Sequence, residues 1–289
     1  MVRLELQVGT ILFLFLSSGG GPSSVARGTA SEGRPVESWL RYVWVKLIRP
    51  HVSSDIGRQR IKLILFGFGY APLLFANSLN LLQRIQIIAR FLRIDWSVLH
   101  GHRPADIARV CRVLLERPVE EREGVVEAGC WRGGSSAKLS ILCRILGLRL
   151  HIYDSFLGVH KMSAEEAKDH DFSGEYAAPE DVLRQTLTQY GEPGVCEIHK
   201  GWFSDTLGAK PVGFPVRAVY IDCDSARGTW EVLKGIVPKL VPNGLVFSKD
   251  THLPSVRELL SDPETWQKLG KSRPQFLRLT GTTAVYRFS

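Results

Sequence analysis

Residues 124–154, GVVEAGCWRGGSSAKLSILCRILGLRLHIYD, indicate the fold of this chain most clearly. It begins with a short β-branched run that ends in an acid. A glycine-rich turn then leads into a segment with helical spacing of apolar residues, and a second strand-like run closes on another acid. A strand, a helix and a strand in this order are typical of a parallel β–α–β unit.

The same alternation continues to the end of the chain. Further strands are predicted at VCEIHKG, FPVRAVYIDCD, NGLVFSKD, FLRLTG and TAVYRFS, and helices at PEDVLRQTLTQYG, RGTWEVLKGIVPKL and SVRELLSDPETWQKL. We therefore predict an α/β fold with a doubly wound, mostly parallel seven-stranded sheet and helices on both faces. The last two strands lie close together in sequence, which indicates an antiparallel hairpin at the sheet edge.

The composition is that of an ordinary globular protein. The chain has 289 residues, of which 44% are hydrophobic, and a net charge of +8. This excludes collagen-like, coiled-coil and largely disordered chains. The charge is concentrated in residues 35–100, which hold nine Lys or Arg against three Asp or Glu, whereas residues 101–289 are nearly neutral. A neutral domain has little affinity for a phosphate backbone, so we expect no nucleic-acid partner.

Cysteine usage indicates a reducing compartment. The five cysteines are an odd number, widely spaced and without a CxxC pair. This pattern argues against a disulfide framework and against a zinc knuckle. Free thiols and a cytoplasmic location are the expectation.

The N-terminal third divides into two segments. Residues 1–34 hold an apolar run and a Gly/Ser-rich stretch, which fits a disordered or targeting segment: a signal, an anchor or a start assigned too far upstream. Residues 35–100 predict a basic helical extension, and residues 63–83 within it carry no charge. The extension could pack on the main domain or on a second subunit, contact a membrane peripherally through residues 35–95, or span one.

Acidic residues follow most of the predicted strands at their carboxyl ends, where open α/β sheets bind ligands. They are Glu127, Asp154, Asp222, Asp224 and Asp250. The first turn is glycine-rich but is neither GxGxxG nor a Walker loop. An acid at the end of the second strand can accept hydrogen bonds from both ribose hydroxyls of an adenosine cofactor. These features leave a dinucleotide and S-adenosylmethionine both open.

Six blocks resemble, in order and spacing, the macrocin O-methyltransferase family. They are VVEAGCWRGGSSAKLS, HIYDSFLGV, GEYAAPEDVLRQTLTQYG, HKGWFSDTL, VYIDCDSARGTWEVLKGIVPKLVPNG and FSKDTHLPSVRELLSD. The resemblance covers roughly residues 100–280. It implies that residues 101–289 form a Rossmann-like, S-adenosylmethionine-dependent methyltransferase domain that acts on sugar hydroxyls of natural products.

The resemblance also implies the residues that bind the cofactor. The methionine part would lie at Glu127, Gly129, Gly133 and Ser135, the ribose at Asp154, Ser155 and Phe156, and the adenine near Ser204 and Asp205.

The resemblance also implies that the catalytic centre lies at the acids after the later strands. Asp222 and Asp250 match two acids that hold a divalent metal in family members, and Asp224 could share that site. Where the family often has an adjacent acid pair, this chain has Lys249 before Asp250. Either Mg²⁺ is held by the three aspartates and waters, or the lysine replaces its charge. The expected catalytic residues are Asp222, with Asp224 or His252 as general base.

The function expected from these features is O-methylation of a hydroxyl on a sugar, another polyhydroxylated small molecule or a glycoconjugate, by a homo-oligomer. A nucleotide-cofactor oxidoreductase on a similar sheet is disfavoured by the form of the first turn. A non-catalytic cofactor-binding or membrane-associated partner is the other alternative, and Lys249 is the best argument for it. His100 and His102 suit a loop or substrate-side role, and the polar insertion at residues 159–178 suits a lid or a substrate wall.

Overall fold

Seven strands form the sheet that the alternation predicts. They are β1 (Gly124–Ala128), β2 (Arg149–Asp154), β3 (Cys196–Lys200), β4 (Val216–Ile221), β5 (Leu240–Ser248), β6 (Gln275–Arg278) and β7 (Ala284–Arg287). Their order is β3-β2-β1-β4-β5-β7-β6. Strands β1 to β5 are parallel, and β7 is antiparallel to both β5 and β6. The predicted α/β fold, with its antiparallel hairpin at one edge, is confirmed.

The computed structural model describes residues 42–44, 49, 52–116, 123–168 and 170–288. The predicted segment 1–34 lies outside these ranges, as do residues 35–41, 45–48, 50 and 51 of the predicted basic helical extension. The described residues from Trp44 onward belong to one unit.

Eight α-helices lie in the described residues. They are α1 (Asp55–Phe66), α2 (Leu81–Ser97), α3 (Pro104–Leu115), α4 (Gly134–Leu146), α5 (Glu180–Tyr190), α6 (Ala226–Ile236), α7 (Pro254–Ser261) and α8 (Pro263–Lys268). Four 3-10 helices lie at Gly67–Phe75, Glu166–Lys168, Pro193–Val195 and Val237–Lys239.

The helical segment predicted at SVRELLSDPETWQKL consists of two helices, α7 and α8. Pro263 has no N–H to continue the hydrogen bonding of α7, and the residue before a proline is disfavoured in the helical region. Asp262 is accordingly extended, and its side chain accepts a hydrogen bond from the backbone N–H of Glu264. The segment is helical as predicted, and Pro263 begins a second helix instead of continuing the first.

The central strands are apolar because helices cover both of their faces. Every residue of β1 and β4 is buried. One hydrophobic cluster joins this sheet to α2, α3, α4 and α5, and a second joins its other side to α6, α7 and α8. The sheet is therefore the middle of three layers.

The charge-free stretch at residues 63–83 ends α1, forms the first 3-10 helix and begins α2. Tyr70 and Leu73 of the 3-10 helix are buried in the first cluster together with Ile87, Phe91 and Ile94 of α2. Asn80 starts α2 through a reciprocal capping box with Gln83. The described part of the chain holds no helix with the length and hydrophobicity that crossing a bilayer requires.

The strand order reverses between β1 and β4, because β1 leads outward to β2 whereas β4 leads outward to β5. At such a switch point the connections leave in opposite directions and open a crevice at the carboxyl ends of the strands. The turn after β1, Asp222 and Asp224 after β4, and Lys249 after β5 all border this crevice.

A buried aromatic ring anchors α2 to the rest of the domain, which predicts a mutational effect. Phe91 is fully buried and meets Tyr70 edge-on at 5.5 Å between ring centroids. We expect Phe91→Ala to lower the free energy of unfolding by about 3–5 kcal/mol, through lost burial and a new cavity. Leu82→Ala on the same helix is the control, since Leu82 is 64% exposed. Urea denaturation measures both variants, and equal effects would show that α2 is not anchored by Phe91.

Candidate active site

The crevice depends on a close approach between the ends of β1 and β4. Gly129 follows β1 with φ +87°, and a Cβ atom there would lie 1.9 Å from the carbonyl oxygen of Asp222. The Asp222 N–H donates to the carbonyl of Ala128 at 2.9 Å, and the Gly129 N–H donates to the carbonyl of Tyr153 at 3.0 Å. Only glycine permits this packing, which brings the ends of three strands together.

A cavity of about 300 Å³ opens above these strand ends. Its walls come from the loop before α3, the turn after β1, the ends of β2, β4 and β5, and the insertion after β2. The principal lining residues are His100, His102, Gly129, Trp131, Arg132, Ser135, Asp154, Ser155, His160, Tyr176, Trp202, Phe203, Ser204, Asp222, Asp224, Arg227 and Lys249.

The start of α4 presents backbone donors to the cavity. Gly133 caps the helix in the left-handed conformation, with φ +81°, and supplies no side-chain cap. Gly134 and Ser135 of the first turn line the cavity, as does Arg132 just before them. The free N–H groups of a helix N-terminus and a nearby guanidinium attract an anion such as a carboxylate.

Asp154 joins two loops at the rim of the cavity. One carboxylate oxygen accepts from the backbone N–H groups of Cys130 and Trp131, at 2.7 and 3.3 Å, and the other accepts from Phe156 at 2.7 Å. A carboxylate offers about four acceptor positions, so its exposed face can still accept from a ligand hydroxyl. The side chain therefore has both a loop-ordering role and a free acceptor.

Glu127 lies beneath the glycine-rich turn rather than in the cavity wall. Its carboxyl group is fully buried, and burial raises its pKa to about 8. The group is therefore largely protonated at neutral pH. In this form it can donate a hydrogen bond as well as accept one.

The structure brings five of the nine expected cofactor residues to the cavity surface. These are Gly129, Ser135, Asp154, Ser155 and Ser204. The other four lie behind or beside the cavity. Glu127 and Gly133 support the turn, and Phe156 is buried and donates its backbone N–H to Asp154. Asp205 is exposed and accepts a hydrogen bond from the Ser204 hydroxyl at 3.0 Å.

The three aspartates expected at the catalytic centre do converge. Asp222, Asp224 and Asp250 each have a carboxylate oxygen within 4.8 Å of the other two. Asp250 is fully buried, and one of its oxygens accepts from the backbone N–H groups of Cys223 and Asp224 at 2.9 and 3.0 Å. Asp250 thus fixes the loop after β4, while Asp222 and Asp224 face the cavity.

Lys249 enters the same cluster from the end of β5. Its ammonium lies 2.7 Å from one carboxylate oxygen of Asp222, and both side chains are mostly buried. The surrounding aspartates raise the pKa of Lys249 above its ordinary value despite burial, so the group stays charged. It is a fixed positive charge among acids.

Asp224 is the aspartate whose electrostatics suit a proton acceptor. Burial, reinforced by the negative charge of Asp222, raises the pKa of Asp224 to about 6. Its backbone has φ +52°, an uncommon conformation for a residue other than glycine. Strained backbone of this kind concentrates at functional sites, and Trp131 and Tyr176 in the same walls share it.

His252 does not reach the cavity. Its side chain is exposed on the loop before α7 and is absent from the lining. Of the two groups expected as alternative general bases, the structure places Asp224 alone in the cavity wall.

No sequence pattern assigned a role to Trp131 or Tyr176. Their rings meet edge-on, with centroids 5.4 Å apart, and form one wall of the cavity. Trp131 is held there by the left-handed turn, and Tyr176 comes from the insertion at residues 159–178 together with His160. The length of that insertion was the signal for the second ring, whereas nothing in the sequence paired it with the first.

His100 and His102 form the wall nearest the helical extension. His100 lies 2.7 Å from a carboxylate oxygen of Asp95 and stacks on His102 with ring centroids 4.0 Å apart. The Lys138 ammonium contacts both Asp95 and His102. Burial and the charge of Lys138 lower the pKa of both histidines, so this wall presents neutral imidazoles.

Comparisons with known proteins agree with this geometry. The family described as Macrocin-O-methyltransferase (TylF) matches residues 108–275. One relative, from Streptomyces olivaceus, is 30% identical over 148 residues, which cover 48% of this chain and 56% of that protein. Its name is 8-demethyl-8-(2,3-dimethoxy-alpha-L-rhamnosyl)-tetracenomycin-C 4'-O-methyltransferase. Mycinamicin III 3''-O-methyltransferase of Micromonospora griseorubida is 27% identical over 151 residues, covering 48% of this chain and 59% of that protein.

The chain thus spans a little over half the length of these curated relatives. Among solved structures, the O-methyltransferase NovP superposes with a TM-score of 0.55 at 18% identity, covering 66% of this chain and 83% of that one. This likeness supports the fold. Since the family match extends over more than half of the sequence, the resemblance seen in the six blocks is confirmed, and the chain belongs to the macrocin-O-methyltransferase family.

Proposed function

We propose that this protein transfers a methyl group from S-adenosylmethionine to a hydroxyl of a sugar or another polyhydroxylated small molecule. The observation that carries the proposal is one cavity that joins the first turn of α4, the Asp154 carboxylate and the Asp224 carboxylate. Family membership and the two sugar-directed relatives support the same chemistry.

The residues of the cavity fit S-adenosylmethionine part by part. The first turn of α4 and Arg132 suit the carboxylate of the methionine moiety, and the free face of Asp154 suits the ribose hydroxyls. Trp202, Phe203 and Ser204 supply an aromatic and polar wall for the adenine. When bound, this cofactor supplies a methyl group on a sulfonium that leaves as a neutral thioether.

The remaining walls suit a polar acceptor. Tyr176, His160 and Arg227 face the same cavity from the insertion and from α6, and offer hydrogen-bond donors together with an aromatic surface. Such a set can orient a polyhydroxylated ring and exclude water from the hydroxyl that reacts.

The first experiment measures cofactor binding and methyl transfer together. Asp154→Ala removes a charged acceptor worth about 1.5–3 kcal/mol, so we expect S-adenosylmethionine affinity in calorimetry to fall by roughly 10- to 150-fold. Glu258→Ala, at an exposed position on α7, is the control. Transfer of labelled methyl groups to acceptors in a cell extract tests activity. Unchanged affinity in Asp154→Ala would remove the carboxylate from the cofactor site.

Asp224 is the proposed general base. It faces the cavity and makes no ion pair of its own in the described structure, since Lys249 pairs with Asp222. As the acceptor oxygen attacks the methyl carbon, its proton passes to the Asp224 carboxylate. Beside it, the charges of Asp222 and Lys249 offset each other in an ion pair.

We expect Asp224→Asn to lower kcat by about 10²–10⁴-fold while cofactor affinity stays unchanged, because a general base contributes to the chemical step alone. With the pKa of Asp224 at about 6, the carboxylate is protonated as pH falls. The wild-type rate should therefore decline below about pH 6 and level off above it. A pH–rate profile with methyl-transfer assays checks both statements, and an active Asn variant would exclude this role.

The acid cluster as arranged does not fit Mg²⁺. This ion needs near-octahedral oxygen ligands, but the Lys249 ammonium already binds Asp222, and a dication would have to sit beside it. One oxygen of Asp250 is also taken by two backbone N–H groups. We infer that Lys249 supplies the positive charge at this site, and no step of the proposed reaction uses a metal. The alternative, Mg²⁺ held by the three aspartates, is an outcome of the following test.

We expect wild-type activity to survive treatment with a chelator. Lys249→Asp should then create a Mg²⁺ site, because a carboxylate replaces a repelling ammonium. The measurement is the melting temperature with and without Mg²⁺: a rise in Lys249→Asp, and none in wild type or in the surface control Lys268→Asp. Activity that disappears with chelator and returns with Mg²⁺ would assign the metal to wild type instead.

The two alternative functions differ from this proposal in their readouts. A nucleotide-cofactor oxidoreductase would bind a nicotinamide dinucleotide in preference to S-adenosylmethionine. A non-catalytic partner would bind S-adenosylmethionine but transfer no methyl group to any polyol acceptor. Calorimetry with both cofactors and the labelled-methyl screen separate the three.

Partners and location complete the proposal. The homo-oligomer and the peripheral membrane contact through residues 35–95 stay predictions, supported by exposed apolar side chains on the helical extension: Phe68, Leu74, Phe75, Leu81, Leu82 and Ile85. Size-exclusion chromatography tests the first and sedimentation with anionic vesicles the second. The cytoplasmic location also stays a prediction, supported by five free cysteines.

A further inference from the structure

Two histidines and a glutamate on neighbouring strands direct their ligand atoms toward one point. Nδ1 of His151 on β2 lies 3.1 Å from Nε2 of His199 on β3. The Glu197 carboxylate approaches the same two nitrogen atoms, at 3.7 Å from His151 and 3.5 Å from His199. None of the three side chains lines the cavity described above.

The strand register explains why these side chains meet. His151 pairs with Glu197 and Tyr153 pairs with His199 across the parallel strands. Residues two apart on a strand share a face, so both histidines and the glutamate lie on one side of the sheet.

Aromatic stacking holds both imidazole rings in place. His151 stacks on Phe214 with ring centroids 3.8 Å apart, and His199 stacks on Tyr153 at 4.2 Å with an angle of 8° between the planes. A ligand set that is ordered before the ion arrives loses little conformational entropy on binding.

From this geometry we propose that His151, Glu197 and His199 form a binding site for Zn²⁺ or another borderline divalent cation. Bonds of about 2.0–2.1 Å at tetrahedral angles place ligand atoms about 3.3 Å apart. The two imidazole nitrogens lie 3.1 Å apart, whereas Oε2 of Glu197 lies 3.7 Å from His151 and its Oε1 lies 3.5 Å from His199. One oxygen of Glu197 lies within 4.8 Å of both nitrogens, so the three side chains are close enough to bind one ion. Imidazole and carboxylate ligands select Zn²⁺, Co²⁺, Ni²⁺ or Cu²⁺ over Mg²⁺ and Ca²⁺. Glu197 is about half exposed, so water can complete the coordination.

A hydrogen bond between the two histidines does not explain why the Glu197 carboxylate lies beside both rings. Glu197 lies beyond ordinary hydrogen-bond distance from both rings, yet it faces the two nitrogens that already face each other. Its other charged neighbour is Arg149, whose side chain is exposed and 4.0 Å away. Burial lowers the pKa of both histidines, to about 4 for His151, so both are neutral and able to bind a cation at pH 7.

An ion here would link β3, at the edge of the sheet, to β2. Strand β3 is an edge strand whose partner in the sheet is β2, and the ion would add a bond between the two. The strands lead directly into Asp154 and Lys200, which are paired in register. The site thus stabilises the strand that carries the expected ribose acceptor without taking part in methyl transfer.

Titration with Co²⁺, a spectroscopic substitute for Zn²⁺, tests the site. Full-length protein freed of metal with a chelator should bind one Co²⁺ per chain with the intense visible absorption of a four-coordinate ion, which Zn²⁺ displaces. Zn²⁺ should also raise the melting temperature. His199→Phe and His151→Phe keep an aromatic ring in each stack but remove a ligand, and Glu197→Gln removes the third. Each should weaken binding at least about tenfold.

The control is His170→Gln, because His170 and Glu175 form a comparable exposed pair, 3.3 Å apart, that belongs to no group of three possible metal ligands among the described residues. It should bind Co²⁺ as wild type does. The proposal is overturned if no stoichiometric binding occurs, if binding survives His199→Phe, or if His170→Gln weakens it equally. Loss of binding in Asp222→Asn, with His199→Phe unaffected, would place the ion at the acid cluster and equally overturn it.

Discussion

The close contact between the ends of β1 and β4 is the constraint on which the rest of the site depends. Gly129 packs against the carbonyl of Asp222 at a distance that no side chain permits. That contact narrows the base of the crevice and aligns the helix start after β1 with the acids after β4 and β5. A larger residue would part the two strands and separate the cofactor half of the cavity from its catalytic half.

The catalytic half is governed by charge. Three aspartates within 4.8 Å would repel one another strongly in a buried setting, and something must offset that repulsion. Backbone N–H groups donate to Asp250, although burial raises the pKa of its carboxyl group well above the ordinary value, and an ammonium pairs with Asp222. Asp224 is left with a raised pKa and an open face. Asp224 is therefore the group that can accept a proton, because Asp222 and Asp250 already have ion-pair or hydrogen-bond partners.

The two histidine groups illustrate how the same residue type serves different ends. His100 and His102 are buried against a Lys138–Asp95 ion pair, which ties the helical extension to the wall of the cavity. His151 and His199 lie at the sheet edge beside the Glu197 carboxylate, with the exposed Arg149 side chain 4.0 Å from that carboxylate. A buried lysine contacts the first pair, whereas a half-exposed carboxylate lies beside the second. Burial and neighbouring charge, rather than residue identity, separate the two.

Period-two spacing, helical spacing and strand-end placement are local properties of a chain, so they predicted the α/β fold, the edge hairpin and the positions of the acids. The resemblance of six sequence blocks, and not periodicity, indicated the family. The sequence did not determine which of those acids face the cavity. Asp250 and Phe156 turned inward and His252 turned outward, since each direction depends on loops that other elements hold in place. The Lys249–Asp222 pair, the ring contact between Trp131 and Tyr176, and the meeting of His151 with His199 join residues 27 to 48 positions apart. Such contacts depend on strand register and on how the loops pack, and only the tertiary structure decides these.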